Sequence, residues 1–188
     1  MAEDEDLEAD LARLVGDTRT ADAVRARIRE RNLRVAAGAG ATLSGILLDL
    51  AEGRTTISAR TTFGRTLHGR VTIVASDAVV IETAGGLPTY VRLDAIAWLR
   101  RLPGRVPPAA AAGDRPAPRS TTFAALAGEL AGERPRVTLA VLGEPAVLSG
   151  ELVAAGTDVL TVRLDGEPPV TAYVSLAQVS ELTVLASG

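Results

Sequence analysis

The 188-residue chain contains no cysteine, a single histidine (His68), and no lysine among its twenty basic residues. Without cysteine there is no disulfide framework, no thiolate metal site and no cysteine nucleophile. One histidine cannot supply the clustered ligands of a typical zinc site, so neither a metal nor a cofactor is expected. Aromatic residues make up 3% of the chain, which leaves Val, Leu, Ile and Ala to build any core. No apolar run approaches the ~20 residues that a membrane-spanning helix needs. The acidic start, Glu3-Asp4-Glu5-Asp6, is the opposite of the basic opening of a signal peptide. The cytosol is therefore the expected compartment. An all-arginine basic set beside abundant Ala, Gly and Val reflects the codon bias of a high-GC genome, so arginine number alone says little about function.

What the chain does contain is a repeat. Residues 90–99 read Tyr-Val-Arg-Leu-Asp-Ala-Ile-Ala-Trp-Leu, and residues 173–182 read Tyr-Val-Ser-Leu-Ala-Gln-Val-Ser-Glu-Leu. Upstream, Gly69, Asp77 and Val79-Val-Ile81 align with Gly150, Asp158 and Leu160-Thr-Val162; earlier still, Ile46 and Leu50-Ala51 align with Leu126 and Leu130-Ala131. The offset drifts from 80 to 81 to 83, which confines insertions to loops, as two copies of one packed unit require. The division expected is an acidic helical segment (1–38), a first helix-plus-strands unit (39–101), a Pro/Ala-rich linker (102–120) and a second such unit (121–188). At roughly 65 residues each, units of this kind sit near the lower size for a self-standing core, so they are expected to pack on each other or on another chain.

Leu7, Leu11, Leu14 and Val15 recur at helical spacing behind the acidic start. Val24, Ile28 and Val35 suggest a second helix, interrupted by Gly38 and Gly40. Thr42 is placed to cap a short helix ending at Gly53. Short segments rich in Val, Ile and Thr then follow at 55–62, 67–75, 78–83, 89–93 and 96–100, and again near 136–142, 146–155, 159–164, 171–175 and 178–184, after a helix at 121–132. With no helix between consecutive strands, a parallel sheet is excluded. The expected fold is mainly β: two tandem five-stranded small barrels, each preceded by a helix.

A short helix leading into five bent strands resembles the Sm/LSm-like fold, with the SH3-like barrels as the alternative; the residues carrying the likeness are Gly64, Gly69 and Asp77, then Gly143, Gly150 and Asp158, then the Tyr-Val-x-Leu strand. It also resembles actinobacterial proteins with paired barrels of this kind. The resemblance implies the fold but not the base pocket. Where Sm-like RNA binders carry an Asn two residues after the Asp, this chain has Val79 and Leu160, and no Arg-Gly pair follows either Tyr strand.

Comparing the copies separates core from surface. Val71/Leu152, Val79/Leu160, Ile81/Val162, Val91/Val174, Leu93/Leu176, Ile96/Val179 and Leu99/Leu182 are apolar in both and expected inside. Arg70/Glu151, Arg92/Ser175, Trp98/Glu181 and Arg100/Thr183 differ and are expected outside. Residues 54–106 hold eight Arg against three acids (+5), and residues 134–188 hold three Arg against six acids (−3). A basic first unit offers Arg65, Arg70, Arg92, Arg100 and Arg101 to a nucleic acid, with Phe63 or Trp98 as stacking platform. The competing expectation is a protein interface, with Trp98 and Phe63 as its candidates, since binders of nucleic acid are usually basic and this pI is 5.3. His68 reads as an isolated surface residue. Tyr90 and Tyr173 read as a matched structural pair with rings in the core, and Asp77 and Asp158 as turn residues accepting backbone hydrogen bonds. With no nucleophile–base pair, metal cluster or P-loop, the chain is expected not to be an enzyme. The expectation is a non-enzymatic interaction or scaffold protein with a protein partner or self-association, the alternative being RNA or DNA binding.

Overall fold

The computed structural model describes residues 26–32, 41–83, 85–103 and 120–186. The expected helix at 3–15, the glycines at 38 and 40, and most of the 102–120 linker lie outside the described residues. The chain divides into two compact units, Met1–Ala41 and Thr42–Gly188. In the first, residues 26–32 are helical (α1), and Ile28 is exposed.

The second unit contains both repeats. Helix α2 (Leu43–Glu52) is capped by Thr42, whose side chain accepts from the Gly45 N–H, and α3 (Phe123–Ala131) is capped identically by Thr122 and the Ala125 N–H. In both cases a threonine oxygen satisfies one of the helix's orphan first-turn donors. Each helix is followed by five strands: β1 (Thr56–Thr61), β2 (Thr66–Val74), β3 (Ala78–Thr83), β4 (Pro88–Arg92) and β5 (Ile96–Arg101), then β6 (Arg136–Val141), β7 (Leu148–Ala155), β8 (Val159–Leu164), β9 (Val170–Ser175) and β10 (Val179–Val184). A 3-10 turn joins the fourth strand to the fifth in each copy, at Leu93–Ala95 and Leu176–Gln178.

All pairings are antiparallel, and the ten strands form a single sheet in the order β5-β1-β2-β3-β4-β10-β6-β7-β8-β9. This corrects the expectation of two closed barrels. In each copy the fifth strand pairs with the first, at β1·β5 and β6·β10, but the fourth does not pair with the fifth. Instead β4 pairs with β10 of the other repeat, through Thr89↔Thr183, Tyr90↔Leu182 and Val91↔Glu181. The sheet is open, with β5 and β9 at its ends. The reason lies in the unpaired backbone groups that a fourth strand presents: the nearest partner for β4 is the second repeat.

The bends recur as faithfully as the strands. Both second strands carry a one-residue register shift, between Val71 and Ile73 and between Leu152 and Ala154. Both fifth strands carry another, opposite the Arg60/Thr61 step in β1·β5 and between Val179 and Glu181 in β10·β6. An extra residue on one strand sharpens its bend and twist. Gly69 and Gly150 mark the tightest approach. A Cβ at Gly69 would lie 2.1 Å from the Glu82 carbonyl oxygen, and one at Gly150 would lie 2.2 Å from that of Arg163. Neither position has room for a side chain, which explains why glycine returns there.

The seven matched apolar pairs fall where expected: Leu93, Ile96 and Leu99 are half-buried, and the other eleven residues are buried. One core, under α2, gathers Leu47, Leu50, Ile57, Val71, Val79 and Ile81 from the first repeat. The other gathers Phe123, Leu126, Val137, Leu139, Leu152, Leu160 and Leu182, and it takes in Ala75, Ala78 and Val80 from the first repeat. Helix α3 thus covers apolar surface of both copies. No helix among the described residues is long and apolar enough to cross a membrane.

Candidate functional site

The most specific arrangement of side chains lies where the two repeats meet. At the sheet seam the hydroxyls of Thr89 and Thr183 are 3.1 Å apart and both residues are buried. The turn between β2 and β3 then grips the start of α3. The Phe123 N–H donates to Asp77 Oδ1 at 2.7 Å, and the Ser76 hydroxyl and N–H both donate to the Thr121 carbonyl, at 2.9 and 3.0 Å. A carboxylate at a helix N-terminus meets both an unpaired donor and the positive end of the dipole. Asp77 was expected to accept a backbone hydrogen bond, and it does so from the other repeat's helix. Arg92 completes the seam: its Nη1 donates to the Leu176 carbonyl at 2.9 Å, while its Nε donates to Asp94 at 3.0 Å.

Glu181 lies at the far end of the seam and was expected on the surface. It is fully buried. The correction has a simple cause: β10 has β4 on one side and β6 on the other, so positions exposed on the edge strand β5 are covered here. The same holds for Thr183, which is buried where Arg100 is exposed. Thr61 Oγ1 donates to Glu181 Oε1 at 3.4 Å, and Arg65 Nε lies 3.6 Å from that oxygen, but Oε2 has no partner among the described residues. Burial pushes the Glu181 carboxyl pKa upward, against the opposing pull of Arg65 and the Thr61 hydrogen bond. Desolvation therefore outweighs the partly exposed ion pair.

The tyrosine pair also needs correction. Tyr90 is half-buried in the seam, beside the second core, and burial, followed by the negative charges of Glu129 on α3 and Glu133 just past its end, raises its pKa. Tyr173 is 76% exposed on the edge strand β9. The two positions are equivalent within a repeat but not within the sheet.

The five candidate arginines are dispersed. Arg65 is paired with Glu181 and Arg92 with Asp94, and Arg70 stands opposite Glu82 in the β2·β3 register. Arg100 lies over the Trp98 ring, 5.4 Å from its centroid, and Arg101 is exposed at the end of the same edge strand. Phe63 is half-buried in the β1–β2 turn. Trp98 is 42% exposed, in keeping with a rim position. His68 is exposed on β2 and lines an open depression of about 400 Å³ with Arg70 and Glu82. A second depression, of about 580 Å³, is walled by alternating charges including Arg134, Glu151, Arg163 and Asp165. Among the described residues no cluster of three or more His, Cys, Asp or Glu side chains could hold a metal ion.

That the two units pack together was expected, but sequence reasoning missed Glu181 and the identity of the strands that meet, because a repeat shows which positions are equivalent without showing which edges join. The double coverage of β10 had one faint signal, the exchange of Trp98 for a carboxylate and of Arg100 for threonine. No family model matches the chain, no curated protein matches it, and no solved structure matches it.

Proposed function

We propose that the chain is a non-enzymatic interaction module built from two Sm-like five-stranded units, with an SH3-like description of the same units as the alternative. The observation that carries this reading is the seam. Two copies of one unit bind each other by strand addition, by a helix laid on an apolar face, and by a carboxylate on that helix's N-terminus. Strand addition supplies affinity through backbone hydrogen bonds, and the flanking side chains supply register and specificity. The two depressions, by contrast, are open, one walled mainly by charged side chains and the other by Thr56, His68, Arg70, Glu82 and Thr83, unlike the enclosed pockets that hold small molecules.

The second reading, RNA or DNA binding by the first repeat, draws on one observation: exposed Trp98 carries Arg100 on its ring, with Arg101 beside them. Against it, Arg65, Arg70 and Arg92 each face a carboxylate. Fluorescence anisotropy of labelled single-stranded RNA and DNA, titrated with the full chain at low salt, separates the two. The interaction reading expects no binding. Binding that weakens steeply with log salt, and is lost in Arg100→Glu, would replace it with the second reading.

A further inference from the structure

The outer face of the first repeat carries a group of side chains that the seam does not use. Across β2, β1 and β5 the register sets His68 opposite Ser58, and Ser58 opposite Arg100. Two residues further along β1, Arg60 stands between Thr66 and Trp98. Residues opposite one another, and residues two apart on a strand, share a face of the sheet. These side chains therefore form one patch three strands wide, on the face away from the core residues Ile57, Ala59 and Leu67.

Arg60, His68 and Arg100 are exposed, and none has a carboxylate within ion-pair distance among the described residues. Arg60 donates through Nη1 to Thr66 Oγ1 at 3.0 Å, and Arg100 rests on the Trp98 ring. At the centre of the patch, Ser58 is fully buried and its hydroxyl has no hydrogen-bond partner among the described residues. A hydroxyl left in that state forfeits its hydration without compensation, and here it sits beneath two guanidinium-bearing side chains and an imidazole.

The second repeat provides the control. Its equivalent positions follow from the same pairings: Thr138 for Ser58, Ser149 for His68, Thr183 for Arg100, Ala140 for Arg60 and Glu181 for Trp98. Every basic group of the patch is gone, and a carboxylate has entered. The folding unit therefore does not need these cations. They belong to the first repeat alone.

We propose that this face binds a phosphate monoester carried by a partner protein, a phosphoserine or phosphothreonine, with the neighbouring residue of that partner lying on the Trp98 ring. The proposal rests on the interaction reading above and names the chemistry of the partner. Donors reach the patch from three strands: two guanidinium forks, an imidazole N–H and the Ser58 hydroxyl. They outnumber what the two oxygens of a carboxylate, or the two free oxygens of a phosphodiester, can accept. A monoester offers three strong acceptor oxygens and a charge near −2, and arginine forks suit that geometry. Size agrees as well. Three strands at about 4.8 Å spacing span roughly 10 Å, room for one phosphate and its flanking residue. Glu82 on β3, opposite Arg70, bounds the patch on one side and the end of the sheet at β5 bounds it on the other, so no cationic track continues along which a nucleic-acid backbone would run.

The chain holds one tryptophan and one histidine, and both lie in this patch, so Trp98 fluorescence and the His68 ring proton resonances report on it without labelling. The full chain is titrated with a capped tetrapeptide bearing one phosphoserine beside a leucine, and with the same peptide carrying serine or glutamate instead. A saturable response is expected for the phosphopeptide, a weaker one for the glutamate form and none for the serine form. Arg60→Ala and Arg100→Thr install the second repeat's own residues at exposed positions; each should weaken phosphopeptide binding about tenfold, the usual loss of a charge-assisted hydrogen bond, with unchanged Tm. For Arg100→Thr the His68 resonances are the readout, since the indole itself loses a neighbour. Ser58→Ala should weaken binding severalfold without lowering Tm, because the hydroxyl has no partner to lose in the free protein. No saturable response, an equal response to the serine peptide, or binding indifferent to Arg60→Ala and Arg100→Thr but lost in Arg136→Ala, within the second repeat's charged depression, overturns the assignment. Those outcomes leave the interaction reading standing, whereas oligonucleotide binding without phosphopeptide binding overturns both.

Discussion

Leu182 and Leu99 occupy the same position in their repeats, yet Leu182 is fully buried on a central strand and Leu99 is half-buried on an edge strand. Truncating a fully buried leucine to alanine costs roughly 2–5 kcal/mol through lost burial and the cavity left behind. Leu182→Ala should fall near the middle, about 3 kcal/mol, because β10 is held on both sides by β4 and β6 and collapse around the gap is restricted. Leu99→Ala should cost about half as much, since half-burial leaves less contact to lose. For a chain of this size each kcal/mol lowers Tm by about 2–4 °C, so the expected shifts are roughly 6–12 °C and 3–6 °C. Differential scanning calorimetry of the parent and the two variants gives both values. The shared sheet adds a second expectation: Leu182→Ala should lower one cooperative transition, carrying the first repeat down with the second. A biphasic melt in which the first repeat keeps the parent's midpoint would refute the claim that the β4·β10 seam couples the two copies.

Glu181→Gln removes a buried charge but keeps the side chain's shape and its hydrogen bond with Thr61. The raised folded-state pKa means that the native chain holds this proton more tightly than the unfolded one. The associated stability is complete below the ordinary carboxyl value of 4.5 and is lost as pH rises through the raised value. The parent's Tm should therefore fall relative to that of Glu181→Gln across this window and stay lower at neutral pH; parallel pH profiles would count against a buried, desolvated carboxylate. Asp77→Ala should cost about 1 kcal/mol, the usual loss for an N-terminal helix acceptor, whereas Asp158→Ala, at the equivalent turn with no side-chain partner among the described residues, should leave urea midpoints unchanged. Equal losses at both sites would mean that Asp77 acts within its own turn rather than across the seam.

The local architecture was legible because each level of the sequence agreed with the next. Thr42 and Thr122 mark helix starts, β-branched runs mark strands, and doubled glycines mark the two places where a backbone passes within 2.2 Å of where a Cβ would lie. Matched apolar positions identified the core because both copies bury the same faces. The global arrangement was not legible, for a physical reason. Period-two alternation tells a strand which of its faces points inward, but not whether it ends in the middle of a sheet or at its margin. Glu181 and Tyr173 were misplaced on that account: one lies on the most covered strand, the other on the least.

The seam also orders events in time. Thr89 and Thr183 meet although they stand 94 positions apart in the chain, whereas β1 to β4 form a meander whose pairings are local. At roughly 5–20 residues per second, β4 leaves the ribosome about 5–20 s before β10. During that interval the first repeat carries an unpaired strand beside the bare apolar patch of Ala75, Ala78 and Val80. The neighbouring nascent chains of a polysome offer β10 strands of the same sequence. The fold thus carries an inherent route to strand exchange between chains, one that closes only when each chain's own β10 arrives in time.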